Sequence, residues 1–329
     1  MAANIVPNYN TTSNAWEVLS DTETAAKATE PTVTKTLKND DDSVAIGDTV
    51  SYEVVATVPT YDAVNSTDIV FKISDKVSTG LTLDETTIEV ASNNGALTVD
   101  TDYTVTSDAD EFTVTLKDAA ILASTSITVT YSATVNDEAV VNTAMTNKAS
   151  LEYSNDPVTT TSTNTKTTDE IKVYTYGFDL VKVEKGTETK LNGAEFTLSE
   201  GNIAIAFVKI ADGEYRVATA DDTATTTTLV ATAGTLKLSG LDVGEYSLKE
   251  TKAPDGYNLP SSAKTIEIKG DEDDGYANVT IENSKGFTLP TTGGIGTTLF
   301  TVFGILLVCA GIALIVTVSV MIARKRHEA

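Results

Sequence analysis

The stretch 178–184, FDLVKVE, alternates apolar and polar residues, and in a β-strand residues two apart share a face. Phe178, Leu180 and Lys182 therefore line up, and a lysine points the same way as two large apolar side chains. Working outward, the same alternation runs through SYEVVATV (51–58), DIVFKISDKV (68–77), FTVTLKD (112–118), SITVTYSATV (126–135) and KASLEY (148–153). It continues through AEFTLSE (194–200), GEYSLKE (244–250), KTIEIKG (264–270) and NVTIEN (278–283). The turn signals NNGA, ADG, APDGY and DEDDG recur at short spacing, which fits antiparallel sandwiches better than β-α-β units. The predicted fold class is all-β, with two tandem sandwiches.

Lys182 is one of six polar residues that fall in phase with an apolar set. In YSLKE, Tyr246, Leu248 and Glu250 share a face, and in VTIEN so do Val279, Ile281 and Asn283. Earlier in the chain Lys35 lies in phase with Val33 and Leu37, Asp75 with Phe71, Ile73 and Val77, and Asn147 with Ala149, Leu151 and Tyr153. For a lone lysine of this kind, strand-end exposure or a salt bridge is the ordinary explanation. A lysine, an acid and an asparagine appearing together twice argue for chemistry.

A buried ammonium without full compensation costs several kcal/mol, so burial favours a neutral amine and raises the pKa of a neighbouring carboxyl. A neutral amine can attack the carboxamide carbon. The acid is then expected to hydrogen-bond the amide oxygen and to relay protons as ammonia leaves. The product is a Lys–Asn isopeptide bond, formed once per domain as self-modification and not as turnover.

The chain of 329 residues has a formal net charge of -24 and a sequence pI near 4.3, which argues against binding nucleic acid or anionic lipid through a basic surface. The single cysteine, Cys309, excludes an internal disulfide framework, and the single histidine, His327, leaves histidine triads and histidine zinc sites without material. No nucleotide loop or metal constellation stands out, so neither an enzyme nor a cofactor is expected. The acidic runs Asp40–Asp42 and Asp271–Asp274 read as solvated turns and not as calcium sites.

From Leu299 to Ile322 the residues are almost all apolar, long enough as a helix to cross a bilayer, and Arg324, Lys325 and Arg326 follow. The positive cluster is expected to stay on the cytoplasmic side, leaving the amino-terminal bulk outside. The start, MAANIVPNYN, lacks the pattern of a secretory signal, so a truncated, processed or misassigned beginning is expected. The predicted organisation is a polar segment over 1–30, sandwiches over 31–175 and 176–285, and a carboxyl-terminal region over 286–329. The threonine-rich stretch PVTTTSTNTKTTDE (157–170) is expected to form a loop before a closing strand, DEIKVYTY (169–176).

These residues carry a resemblance. FDLVK, LNGAEFTL, GEYSLKETKAPDGY and VTIEN resemble the corresponding segments of collagen-adhesin B-type (Cna-B, prealbumin-like) domains. The likeness implies an Ig-like or prealbumin-like sandwich with a Lys182–Asn283 bond promoted by Glu250. Residues 31–175, through PTVTKTL, SYEVVATV, FKISDKVSTGL and NKASLEYSN, resemble the isopeptide-forming middle domain of Gram-positive fimbrial shaft proteins. That implies a Lys35–Asn147 bond with Asp75, with Asn142 and Glu53 as competitors for the asparagine and acid roles.

LPTTG, formed by Leu289, Pro290, Thr291, Thr292 and Gly293, precedes the apolar span and basic tail and resembles a cell-wall sorting signal. The resemblance implies cleavage by a sortase after Thr292, with the hydrophobic segment as a transient membrane retainer and the product held in the cell wall of a Gram-positive bacterium. The acceptor amine decides the outcome. A peptidoglycan amine gives a monomeric wall-anchored adhesin, whereas a lysine on another copy or another pilin gives a pilus shaft. Lys27, in ETAAKATEP, is the suitably placed lysine, although it lacks the Tyr-Pro context of the family's linking motif.

Overall fold

A computed structural model describes residues 8–10, 12, 15–17, 30–61, 66–156, 160–286 and 296–327. The chain divides into two compact units, 1–284 and 285–329. The first unit holds two β-sandwiches.

In the first sandwich one sheet orders its strands as Val33–Leu37, Thr49–Thr57, Ser126–Val135, Leu81–Ser92 and Gly95–Ala96. The facing sheet runs Thr163–Thr167, Met145–Ser154, Phe71–Val77, Glu111–Leu116 and Tyr103–Asp108, and Ile171–Val173 also pairs with Met145–Ser154. Alternation governs what is buried. Along Thr49–Thr57 the residues Val50, Tyr52, Val54 and Ala56 turn inward, and along Ser126–Val135 every second residue from Ile127 does so. Facing faces of this kind bury their apolar side chains against each other and form the core.

The second sandwich pairs Phe207–Ala211, Glu214–Val217, Thr235–Leu241, Tyr176–Glu184 and Tyr276–Asn283 in one sheet. The other sheet orders Ile203–Ala204, Glu195–Glu200, Gly244–Lys252 and Lys264–Ile268, with Leu229–Val230 beside Glu195–Glu200. Tyr176–Glu184 and Tyr276–Asn283 run parallel, with Lys182 opposite Ile281 and Glu184 opposite Asn283. The first and last strands of this sandwich are thus neighbours.

Backbone hydrogen bonds and side chains tie the sandwiches together. The Ile46 amide donates to the Gly240 carbonyl at 2.9 Å, Asn142 Nδ2 to the Asp273 carbonyl at 3.0 Å, and the Ser43 hydroxyl to Asp242. Close approach at two of these points requires glycine. A Cβ on Gly240, at φ +83°, would lie 2.5 Å from Ile46 Cδ1, and one on Gly275, at φ +76°, would lie 2.6 Å from Asn142 Cβ.

Three local features depart from the sequence reading. Asn8–Asn10 pairs antiparallel with Ala15–Glu17 inside the segment read only as polar. A one-turn helix, Asp118–Leu122, interrupts the strands, and the Asp118 carboxylate accepts the Asp68 and Ile69 amides at 2.9 and 3.0 Å. Part of the expected threonine-rich loop is the strand Thr163–Thr167, a largely exposed edge strand whose β-branched residues suit extended backbone without supplying an apolar face. The closing strand is accordingly short, Ile171–Val173.

In the second unit, Gly296–His327 is one helix, and its segment Thr301–Ser319 is long and apolar enough to cross a membrane.

Candidate functional site

In the first sandwich the in-phase polar residues meet between the sheets. Lys35 leaves Val33–Leu37 and crosses to the facing sheet, where Asp75 and Asn147 lie on the paired strands Phe71–Val77 and Met145–Ser154. All three are buried, with Lys35 7% and Asn147 1% exposed. Lys35 Nζ donates to Asp75 Oδ2 at 2.5 Å and to Asn147 Oδ1. Burial lowers the Lys35 amine to about 8 against the opposing pull of Asp75, and burial raises the Asp75 carboxyl.

A fourth group, which the sequence reading did not single out, completes this cluster. The buried Tyr131 hydroxyl accepts from Lys35 Nζ at 2.5 Å and from Asn147 Nδ2 at 2.8 Å, and it donates to Asp75 Oδ1 at 2.6 Å. The signal for it is visible in SITVTYSATV, where Tyr131 shares the inward face with Val129 and Ala133 and a buried phenol calls for partners. Twelve tyrosines in the chain dilute that signal. The two competitors fall elsewhere. Asn142 is exposed at a positive φ of 54° in the inter-sandwich joint, and Glu53 lies on the opposite face of its strand from Tyr52 and Val54.

In the second sandwich Lys182 and Asn283 come from the adjacent parallel strands, and Glu250 reaches them from Gly244–Lys252 in the facing sheet. Lys182 is fully buried, Glu250 is 5% exposed and Asn283 1%. Lys182 Nζ donates to Asn283 Oδ1 at 2.5 Å and to the Ile281 carbonyl at 3.2 Å. Asn283 Nδ2 donates to Glu250 Oε1 at 2.6 Å, while Glu250 Oε2, without a hydrogen-bond partner among the described residues, stands 3.7 Å from the lysine nitrogen. Burial lowers the Lys182 pKa and raises that of Glu250, each against the attraction of the other.

The acid was expected on the amide oxygen. In this structure Glu250 is instead on the amide nitrogen, and the oxygen faces the lysine, because the carboxamide turns its donor toward the carboxylate and its acceptor toward the amine. A groove lined by Phe196, Leu248, Pro260, Lys264 and Ile281 opens onto Glu250. Among the described residues, no group of three or more His, Cys, Asp or Glu could hold a metal ion. Lys27 and the LPTTG run Leu289–Gly293 lie outside the described residues.

Comparison with known proteins divides the chain in three. Residues 46–157 match the family described as Gram-positive pilin backbone subunit 2, Cna-B-like domain; residues 176–285 match the SpaA prealbumin-like fold domain; and residues 281–328 match the LPXTG cell wall anchor motif. The first match begins after the strand that carries Lys35. The trypsin-resistant surface T6 protein of Streptococcus pyogenes is 27% identical over 74% of this chain and 46% of its own length. The fimbrial subunit type 1 of Actinomyces viscosus is 28% identical over 43% of this chain and 30% of its own length. The chain thus spans less than half of these relatives. Among solved structures, the 35 kDa carboxyl-terminal fragment of the major pilin GBS80 of Streptococcus agalactiae superposes with a TM-score of 0.61 at 23% identity, covering 78% of this chain and all of that one. The major pilin SpaD of Corynebacterium diphtheriae gives 0.58 at 25% identity, covering 79% of this chain and 66% of that one. These families and neighbours are structural subunits and not enzymes. Domain by domain, residues 46–157 match a Gram-positive pilin backbone domain and residues 176–285 a SpaA prealbumin-like domain, and together with the LPXTG anchor motif over 281–328 they mark a cell wall-anchored surface protein with pilin-type domains.

Proposed function

We propose that this chain is a pilus shaft subunit whose two sandwiches each close an internal Lys–Asn isopeptide bond, Lys35–Asn147 and Lys182–Asn283, and which a sortase joins through Thr292 to a lysine of another copy or to peptidoglycan. The observation that carries the reading is the convergence of an amine, a carboxamide and a carboxyl within two separate dry interiors. An isolated ion pair does not require a carboxamide on the amine, and one such meeting would be easily dismissed. Two, each with a depressed lysine pKa and a raised acid pKa, fit a reaction.

At the second site the neutral Lys182 amine attacks the Asn283 carboxamide carbon. Protonated Glu250 gives its proton to the departing nitrogen, and its other oxygen takes the proton that the attacking nitrogen releases. One C–N bond forms, one breaks, ammonia leaves and the acid is regenerated. The groove beside Glu250 offers the ammonia a way out. The new amide replaces a buried amine and a buried carboxamide by one neutral hydrogen-bonding group, which lowers the cost of keeping polar groups in the interior.

Sorting follows from the anchor motif. A sortase thiolate attacks the Thr292 carbonyl, releases Gly293 with the apolar helix and basic tail, and passes the acyl group to an amine. If Lys27 of a second copy is that amine, the product is a polymer. Cells should then show a ladder of high-mass species that survives boiling in detergent and is lost in Lys27→Ala; a single wall-linked band would instead identify a monomeric adhesin. For the internal bonds, the intact ectodomain should be lighter than its sequence by two molecules of ammonia, and an unchanged mass ends that part of the proposal.

A further inference from the structure

We propose that Tyr131 is a catalytic residue of the first site, carrying a proton between Asp75 and the leaving nitrogen of Asn147; the assignment rests on the reading of that site as bond-forming. An aspartate is one methylene shorter than a glutamate, and the two sites handle that difference in different ways. Glu250 touches the Asn283 nitrogen directly at 2.6 Å. Asp75 meets the Asn147 nitrogen through the Tyr131 hydroxyl, 2.6 Å from the carboxylate and 2.8 Å from the amide. The same hydroxyl is 2.5 Å from the attacking nitrogen, so it touches every reacting group.

The proton balance closes without any outside reagent. As the neutral Lys35 nitrogen bonds to the Asn147 carboxamide carbon, Tyr131 gives its hydroxyl proton to Nδ2 and takes one from protonated Asp75. The other Asp75 oxygen, 2.5 Å from Nζ, accepts the proton that the attacking nitrogen sheds. Ammonia departs, and tyrosine and aspartic acid are both restored. Burial and the nearby Asp75 raise the Tyr131 pKa well above its ordinary value, so the phenol works by accepting and donating together and not as a standing tyrosinate.

The ring itself is held by packing that a phenylalanine would keep. Tyr52 stacks on it with centroids 5.3 Å apart, and Phe112 meets it edge-on at 4.8 Å. This lets the hydroxyl be removed alone. Tyr52, whose hydroxyl has no hydrogen-bond partner of ordinary geometry among the described residues, supplies the packing control.

The test follows the full chain after cell-free synthesis, by intact mass and by mapping of the two cross-linked peptides over time. Tyr131→Phe should slow closure of Lys35–Asn147 by about 100-fold, the usual scale of one general acid–base group, with Lys182–Asn283 closing at the parent rate. Tyr52→Phe should close both at the parent rate. Adding Asp75→Glu to Tyr131→Phe should recover much of the lost rate, because the longer acid can meet the amide nitrogen as Glu250 does. Closure of the first bond at the parent rate in Tyr131→Phe overturns the relay, as does equal slowing in Tyr52→Phe or no recovery in the double variant. A parent chain that closes the second bond but never the first overturns the bond-forming reading of the first site, and the relay with it.

Discussion

The first sandwich takes its lysine from one sheet and its asparagine and acid from the other, whereas the second takes lysine and asparagine from neighbouring parallel strands and only the acid from across the core. The same three functional groups are thus mounted on two different frames. In the first, the proposed linkage fastens one sheet to the other. In the second, it fastens the opening strand to the closing strand within a single sheet. The choice of acid follows the frame. Asp75 lies opposite Ala149, two residues along the adjoining strand from Asn147, and meets the amide nitrogen through Tyr131, while Glu250 spans the gap between sheets and uses its extra methylene to touch the nitrogen directly. What must be preserved is the meeting of the groups, and either topology can supply it.

The largest expected effect comes from removing either acid. Glu250→Ala and Asp75→Ala should each add back one ammonia to the intact mass, and each should destabilise its own sandwich by about 4–5 kcal/mol, by analogy with a disulfide that closes a loop of roughly a hundred residues. Denaturant unfolding read with probes in each sandwich separates the two. If one variant lost both bonds, the sites would be coupled and not independent, and the contrast between their frames would carry no weight.

A smaller effect tests the role of acid length. Glu250→Asp withdraws the carboxylate from the Asn283 nitrogen where no tyrosine bridges the gap, so the second bond should close about 10- to 100-fold more slowly, within the range of general acid–base contributions. Asp75→Glu, made alone, should slow the first bond less. Equal slowing in the two, followed by mass against time, would mean that reach is not what distinguishes them.

The remaining effect is one of pH. In Asn147→Ala the Lys35 amine has no carboxamide to attack and still titrates. Its folded pKa, about 8, lies below the ordinary 10.5, so between these values the unfolded chain holds more protons than the folded one. Stability should therefore rise as pH climbs from 8 toward 10.5, by about 3 kcal/mol at most, and the gain should vanish when Lys35→Met is added. Urea midpoints at the two ends of that range measure it. Asn283→Ala should show the same sign at Lys182, and a fall in stability in either variant would contradict the burial argument.

Much of this was readable from alternation alone. Lys35, Asp75, Asn147, Lys182, Glu250 and Asn283 announced themselves because a period of two places each among apolar residues, and burial follows from that placement. Tyr131 did not, because a tyrosine on an inward face is unremarkable as packing, and only the three-dimensional meeting of two sheets reveals what its hydroxyl touches. The side of the amide that the acid engages was equally hidden, since it depends on a side-chain torsion and not on spacing. Thr163–Thr167 escaped for a third reason. An exposed edge strand made of threonine, asparagine and lysine has no apolar rhythm, and its neighbour's free backbone groups define it.

The position of each asparagine along its strand has a mechanical consequence. Asn283 is the last residue of its strand, so a pull that enters at Tyr176 and leaves beyond Asn283 would pass through Lys182 and the cross-link with almost no slack. Asn147 stands third in its strand, and residues 148–175 follow it, outside the ring that the proposed Lys35–Asn147 bond would close. Under tension that tail, including Thr163–Thr167 and Ile171–Val173, could strip from the sheet and lengthen the subunit by on the order of 90 Å at about 3.3 Å per residue before the covalent path tightened. One sandwich would behave as a rigid link and the other as a spring with a fixed stop.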